Sequence, residues 1–575
     1  MAFWIGRDRF TTALEATMAI IDTRRDQMYP VLDTAQIATA SRFASGPAQD
    51  FAPGESVFTI EASAGPSWLV LKGSIDVTRR DGLNGSVPVM TELPGQFSGE
   101  ISQLSGRGSL AEGHAGAAGC TALPFDPAHL RALLIGSAEL GEIVMRAFIL
   151  RRVALLEAGE SGAVLVGRPG MPDLVRLQNF LRRNSYPFTV LDASDDDKGR
   201  ALVERLGVRP EELPLLVCPK GGLLRRPSDA ETGAFLGITP KIDTARLYDV
   251  AVVGAGPAGL ATAVYGASEG LSVIVLDQRA FGGQAGASAR IENYLGFPTG
   301  ISGLALTARA FNQALKFGAE LAIPVEVAKL NCDDRLKDPS APVLLHLAHG
   351  ETLRARTVVI ASGARYRPLD VPNLAQFESA GISYWASAIE AKLCEGEEIA
   401  LVGAGNSAGQ ATVYLAPHVR KLHLVVRGKG LEASMSRYLI DRITALPNVE
   451  LHTGCEIVAL AGDTTTGLTG ATFRHRAGGD TVERALRHVF LFIGADPNGD
   501  WLRGCVDIDN KGFIVTGAAC KEGTMRLPLE TSLPGVFAIG DVRAGSTKRV
   551  AAAVGEGAAA VAQIHSVLGG VVSRA

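Results

Sequence analysis

Seven cysteines are scattered through the chain, at 120, 218, 332, 394, 455, 505 and 520, and no two form a Cys-x-x-Cys pair. An odd number at such spacing argues against a secreted disulfide framework or a zinc cluster. It predicts buried structural thiols in a reducing compartment. Also missing is any uninterrupted apolar run near the ~18 residues of a membrane span. The alanine-rich tail AAAVGEGAAAVAQIHSVL is broken by Glu556, Gln563 and His565 and reads as a packed helix. The start, MAFWIGRDRF, places charges where a signal peptide needs apolar residues. Excess charge of one sign is absent too: 56 Lys and Arg stand against 60 Asp and Glu, a net of -4. That argues against a general nucleic-acid binder or a polybasic membrane-surface protein. The expectation is a cytoplasmic protein with no nucleic-acid or membrane partner.

What the chain does have is length. Its 575 residues exceed what one hydrophobic core serves, so several domains follow. Residues 1–158 begin with helical periodicity (RFTTALEATMAIIDT). Short alternating runs follow (SVFTIEA, SWLVLKGSIDVTRR, VPVMTELPG), punctuated by Gly and Pro. Such closely spaced strands predict a small antiparallel barrel or jelly roll. The amphipathic SAELGEIVMRAFILRRVALLEAG closes the segment as a helix. Residues 161–240 read as β-α-β-α-β through AVLVG, PDLVRLQNFLRRNS, FTVLDAS, KGRALVERLGV and LPLLVCP, and ETGAFLGITPKIDTARL reads as a linker. Residues 247–575 alternate strands and helices. Here a dinucleotide fold appears twice, with the second copy (367–487) inserted between two parts of the first (247–366 and 488–575).

The first copy is LYDVAVVGAGPAGLATAVYGASEGLSVIVLDQ. A buried strand runs into Gly254-x-Gly256-x-x-Gly259, and a helix opens at Pro257 and Ala258. Gly254 serves the tight turn, Gly256 lets backbone approach a pyrophosphate, and Gly259 lets helix and strand pack closely. The helix N-terminus supplies amide donors and partial positive charge to phosphates. The second strand ends at Asp277 and Gln278, where an acid can accept from ribose hydroxyls. The second copy, EEIALVGAGNSAGQATVYLA, carries Gly403, Gly405 and Ala408 in the same spacing, with Asn406 and Ser407 at the helix start. Its next strand ends in Arg427 in place of an acid. A guanidinium suits a 2′-phosphate, so NADPH is favoured over NADH. Two such folds in one chain point to a flavin that accepts hydride from a nicotinamide.

At these residues the chain resembles the thioredoxin reductase branch of the pyridine-nucleotide flavoproteins, over about residues 245–575. GGQAGASARIENYLGFPTG (282–300) is similar to that family's flavin loop, which implies Gly283, Gln284 and Asn293 beside FAD. VVIASGA implies Ala361, Ser362 and Gly363 at the turn that closes the FAD pocket. GVFAIGDVRAGSTKRV implies Gly540 and Asp541 at the ribityl chain, with Lys548, Arg549 and Val550 facing the ring. Two departures stand out. The family's dithiol positions fall in GISYWASAIEA and hold Trp385 and Ala388, neither of which forms a thiolate. Of the family's arginine cluster only Arg427 remains, beside Val426. Trp385 is either a core aromatic or an indole packed near the flavin.

Two further resemblances concern the N-terminal regions. LVGRPGMPDLVRLQNFL is similar to a glutaredoxin or thioredoxin start with Met171 and Leu174 in place of cysteines. Pro214 stands where that fold has a cis proline, and Cys218 lies just beyond. FAPGESVFTIEASAGPSWLVLKGSIDV and GQFSGEISQL resemble a cyclic-nucleotide-binding domain. That resemblance implies Gly99 and Glu100 at a cyclic nucleotide. The expected phosphate-binding arginine is displaced: Ser109 or Leu110 aligns there, and Arg107 lies early.

The expected architecture is therefore a cyclic-nucleotide-binding-like β-barrel, a thioredoxin-like α/β domain without redox cysteines, and two Rossmann-like domains for FAD and NAD(P)H. The expected activity is NAD(P)H oxidation, with electrons leaving the flavin directly. Their acceptor would be a small redox protein, a quinone, dioxygen or an external disulfide, and a homodimer is implied by the resemblance. No resident metal is expected. The alternatives are a disulfide reductase using other cysteines and a nucleotide- and redox-sensing flavoprotein with little turnover.

Overall fold

The computed structural model describes residues 24–572, except 61–64, 81–85, 100, 106–107, 158–161, 220, 379–380, 464–466 and 522–525. The chain divides into two compact units: Met1–Gly167 with Ser185–Pro240 and Leu315–Gly318, and Arg168–Asn184 with Lys241–Ala314 and Ala319–Ala575.

After two short helices (Arg25–Met28 and Thr34–Ser41), the first unit continues with strands β1 (Gln49–Phe51), β2 (Ser56–Phe58), β3 (Ser67–Arg80), β4 (Ser86–Glu92) and β5 (Glu112–Phe125). They form one antiparallel sheet in the order β1-β5-β3-β4, with β2 also on β5. Contrary to the expected barrel, no strand pairing among the described residues closes the sheet: β1 and β4 remain edges. The helices α1 (Pro127–Gly136) and α2 (Ala138–Glu157) follow. All of the expected first helix, Glu100 and Arg107 lie outside the described residues.

A second sheet in this unit contains β6 (Ala163–Gly167), β7 (Phe188–Asp192), β8 (Leu215–Val217) and β9 (Leu223–Arg225), in the order β7-β6-β8-β9. β6 and β7 run parallel, and β8 is antiparallel to both β6 and β9. The Leu213–Pro214 peptide entering β8 is cis. Helix α3 (Pro172–Arg183) groups with the second unit, and α4 (Asp197–Arg205) follows β7. The expected linker contains helix α5 (Asp229–Phe235), started by a capping box between Ser228 and Glu231.

In the second unit, β10 (Leu247–Val253) is followed by helix α6 (Pro257–Ser268) and β11 (Val273–Leu276). Next come α7 (Gly303–Lys316, whose last two residues group with the first unit), β12 (Glu320–Ala322), β13 (Val327–Asn331), β14 (Val343–Leu347) and β15 (Thr352–Ile360). With the late β26 they form one sheet, β12-β11-β10-β15-β14-β13, in which β26 lies parallel on β15. β10, β11, β12 and β15 are parallel, whereas β13 and β14 return antiparallel. β10 is buried from Val250 to Val253, as a strand covered on both faces must be.

β16 (Ala364–Tyr366) leads into the inserted copy: β17 (Ile382–Ser383), α8 (Ala388–Leu393), β18 (Glu398–Val402), α9 (Asn406–Leu415), β19 (Lys421–Val426), α10 (Arg437–Thr444) and β20 (Val449–Thr453). β21 (Cys455–Asp463), β22 (Gly467–His475) and β23 (Thr481–Arg484) form an antiparallel meander. β24 (His488–Leu491) then completes a parallel sheet, β17-β24-β18-β19-β20. β25 (Ala495–Pro497) pairs back with β16, so the chain leaves the insert beside its entry. After β26 (Val536–Ala538) comes the last helix, α11 (Val550–Val572). Over Val550–Gly569 it is long and apolar enough to cross a membrane. Here Ala560, Val561 and Ile564 are buried, and Gly557 lies so close to α6 that a Cβ would sit 2.8 Å from the Ala258 carbonyl.

Candidate active site

Each fingerprint glycine performs a distinct task. Gly254 has φ +110°, and a Cβ there would lie 2.2 Å from the Ala361 carbonyl oxygen. Gly259 lies against Gly254, where a Cβ would meet the carbonyl at 1.9 Å. Gly256 differs: the nearest atom to a Cβ would be Gly283 Cα, at 3.9 Å. The turn is thus tight where chain meets chain and open at Gly256, the position expected to admit a pyrophosphate. The second cradle repeats this. Gly403, at φ +147°, abuts the Phe492 carbonyl, while Gly405 has nothing within 4 Å of its Cβ direction. Pro257 and Ala258 open α6, and Asn406, Ser407 and Ala408 open α9. Asn406 Oδ1 also accepts from the Ser436 amide at 2.7 Å. The residues present therefore fit two dinucleotides.

Asp277 serves its own turn. Its carboxylate accepts from the amides of Ala255 (2.9 Å), Arg279 (2.9 Å) and Ala280 (3.1 Å), which stiffens the first cradle. Gln278 beside it is exposed. Gly283 stands back to back with Gly256, a Cβ there falling 3.0 Å from Gly256 Cα. The Gln284 side chain donates to the Ala364 carbonyl, and Asn293 is exposed on the same loop. The turn at Ala361, Ser362 and Gly363 is pinned by reciprocal bonds between Ser362 and Asn498, at 2.8 and 2.9 Å. Gly540 donates to Glu556 on α11 at 2.6 Å. Burial pushes the Asp541 carboxyl above its usual range, and it pulls the nearby Lys548 ammonium down. Lys548 donates to the Asp541 carbonyl (2.6 Å) and stands 4.6 Å over the Phe513 ring. Arg549 precedes Val550 at the start of α11. Arg427 is exposed one residue past β19, where its charge reaches Glu456.

Residues 248–557, more than half of the chain, match the pyridine nucleotide-disulphide oxidoreductase family. The chain belongs to that family. Its members are NAD(P)H-dependent FAD oxidoreductases. Among relatives, the NADPH-dependent thioredoxin reductase 3 of Arabidopsis thaliana is 32% identical over 54% of this chain and 56% of its own length. The bifunctional thioredoxin reductase/thioredoxin of Mycobacterium leprae is 31% identical over 55% of this chain and 64% of its own. The match thus spans under two-thirds of these relatives. Among solved structures, the Lactococcus lactis thioredoxin reductase in its FR conformation aligns with 56% of this chain and 98% of its own (TM-score 0.50, 25% identity). The T. acidophilum thioredoxin reductase aligns equally, at 27% identity.

In this pyridine nucleotide-disulphide oxidoreductase, the stretch around Trp385 is built as a helix start. Ser387 caps α8 and Glu390 completes the capping box. The Trp385 indole donates to Glu390 Oε1 at 2.9 Å, and Ala388 is the first residue of α8. Asn179 of α3 donates to the same Glu390 oxygen at 3.2 Å. From the next turn Arg183 donates to the Gly283 carbonyl at 2.9 Å, and Asn184 to that of Arg279 at 3.0 Å. Helix α3 therefore holds both the flavin loop and the insert. A second tie, Arg442 to Glu292 at 2.5 Å, joins α10 to the flavin loop. Sequence reading missed these residues because only the fold makes them neighbours. Burial pushes the Tyr366 hydroxyl up to about 12.

The cysteines require a correction. Cys332 and Cys505, 173 residues apart, form a disulfide with a Cα–Cα distance of 5.6 Å. They join the core beneath β13–β15, where Cys332 is buried with Val506 and Val542. Of the free thiols, Cys120, Cys218, Cys394 and Cys520 are buried, and burial raises the Cys394 thiol to about 12. A thiol held that high is a poor nucleophile.

Cyclic-nucleotide binding at Gly99 finds no support. A Cβ on Gly99 would strike Gln103 Oε1 at 1.7 Å, so that side chain fills the approach. The nearby cation Arg151 is occupied by the Phe97 (2.7 Å) and Gly99 (2.8 Å) carbonyls.

Proposed function

We propose that the protein oxidises NAD(P)H, with NADPH favoured, and passes electrons from FAD directly to an external acceptor without an internal dithiol. The observation that supports this reading is that Trp385 and Ala388, where the family resemblance places a dithiol, serve as a tryptophan–glutamate tie and a helix start. Bound FAD supplies a two-electron centre that accepts hydride and releases electrons singly or in pairs. The chain's residues bind and orient. Amides at the start of α6 and α9 would hold the two pyrophosphates, and Arg427 would attract a 2′-phosphate. Asp541 and Lys548 would hold the ribityl end. The acceptor is a small redox protein, a quinone, dioxygen or an external disulfide.

The sheet order β7-β6-β8-β9 and the cis proline before β8 support a thioredoxin-like module with Met171 and Leu174 in place of its cysteines. Helix α3, which groups with the second unit, acts as a brace on the two nucleotide-binding regions. The disulfide favours one second reading, in which Cys332 and Cys505 relay electrons. Stopped-flow mixing with NADPH or NADH, then a panel of oxidants, tests the proposal. The flavin should bleach faster with NADPH and reoxidise rapidly with one oxidant class. Failure to bleach with either nucleotide would refute it.

A further inference from the structure

Outside the nucleotide sites, three side chains with metal-ligating atoms converge on one face of the insert. His423 lies on β19, and Glu450 and His452 lie two residues apart on neighbouring β20, with His423 paired opposite Glu450. A two-residue spacing puts strand side chains on the same face. His423 Nδ1 stands 2.9 Å from His452 Nε2, His452 Nε2 is 3.4 Å from Glu450 Oε1, and Glu450 Oε2 is 3.8 Å from His423 Nδ1. One ligand atom from each residue lies within 4.8 Å of the other two, against the about 3.3–3.4 Å between ligands around one tetrahedral ion at about 2.0–2.1 Å.

The surroundings favour a ligand set. The other ring nitrogen of His423 lies 2.8 Å from Glu398, which fixes the tautomer and leaves the Nδ1 lone pair facing the triangle. Metal-binding histidines are oriented by a carboxylate in this way. Phe473 meets both imidazoles edge to face, at 5.8 and 5.5 Å. His423 is fully buried, whereas Glu450 is 41% exposed and opens a route from solvent. Lys421 now holds Glu450 at 2.5 Å and must swing aside, which its own 38% exposure permits.

We propose that His423, His452 and Glu450 bind one divalent transition ion of the zinc type, with water as the fourth ligand. Two imidazoles and a carboxylate suit zinc better than magnesium or calcium. The ion would join β19 to β20 below Arg427 and stiffen that edge of the insert.

The test is equilibrium dialysis of the chelator-treated, flavin-loaded protein against zinc ions alone, in a variant whose five free cysteines are serine. The structure predicts one zinc per chain. His452→Asn and Glu450→Gln should each weaken binding about tenfold or more. Zinc should raise the unfolding temperature of the parent and leave both variants unmoved. Absence of stoichiometric zinc, or equal affinity in parent and His452→Asn, would leave the two histidines as a hydrogen-bonded pair and overturn the proposal.

Discussion

At the scale of single residues, Gly254 and Gly405 carry the same fingerprint label but do opposite jobs. Gly254 is required by its own fold: its φ is +110°, and the Ala361 carbonyl occupies the space of a Cβ. Gly405 is required only by a ligand, because nothing lies within 4 Å of its Cβ direction. Gly254→Ala should therefore disrupt the first cradle. It should yield protein with most of its flavin absorbance lost and with stability lowered by about 2 kcal/mol or more. Gly405→Val should keep its flavin and its unfolding temperature yet raise KM for NADPH about tenfold or more. Equal loss of flavin in both variants would contradict this division. The glycines, Asp277 and Arg427 were legible in the sequence because strand, turn and helix follow one another locally. Asn179, Arg183 and the Cys332–Cys505 pair were not, since partners 100 to 211 residues apart leave no local signal.

At the scale of elements, strand β5 shows where sequence reading fails. EGHAGAAGCTALPF has too much glycine and alanine to read as a strand, yet it pairs with β1, β2 and β3. Its glycines explain the choice. A Cβ on Gly113 would strike the Phe58 ring at 2.3 Å, and one on Gly119 the Phe51 carbonyl at 2.7 Å. Helix α5 was missed for the opposite reason, since the Ser228–Glu231 capping box was present but surrounded by linker-like residues. Helix α8 begins where the family resemblance places a dithiol, and under the proposed function its start can be altered without touching electron transfer. Trp385→Phe removes one hydrogen bond to Glu390 and should cost about 1 kcal/mol of stability. Flavin reduction and discharge should stay within about threefold of the parent. A larger loss of discharge would give the indole a part in the chemistry.

At the scale of the whole molecule, one buried carboxyl makes the first unit sensitive to pH. In the first, Glu92 is 2% exposed, and burial raises its carboxyl to about 7 despite Arg151 at 3.7 Å. A raised folded pKa favours the protonated form. Its contribution is therefore complete below the unfolded value of 4.5 and lost as pH climbs through 7. The first unit should lose roughly 3 kcal/mol between pH 5 and 8, read by thermal unfolding of the full chain. A flat profile would mean that Arg151 keeps Glu92 ionised throughout.

The account depends most on a flavin that discharges without internal sulfur. All seven cysteines can be replaced by serine and the flavin reduced anaerobically with NADPH. Reoxidation by the preferred oxidant is then followed in the stopped flow, beside the parent. The prediction is equal discharge rates, within about threefold. A cysteine-free protein that bleaches normally but no longer discharges would contradict the account and move the relay to Cys332 and Cys505.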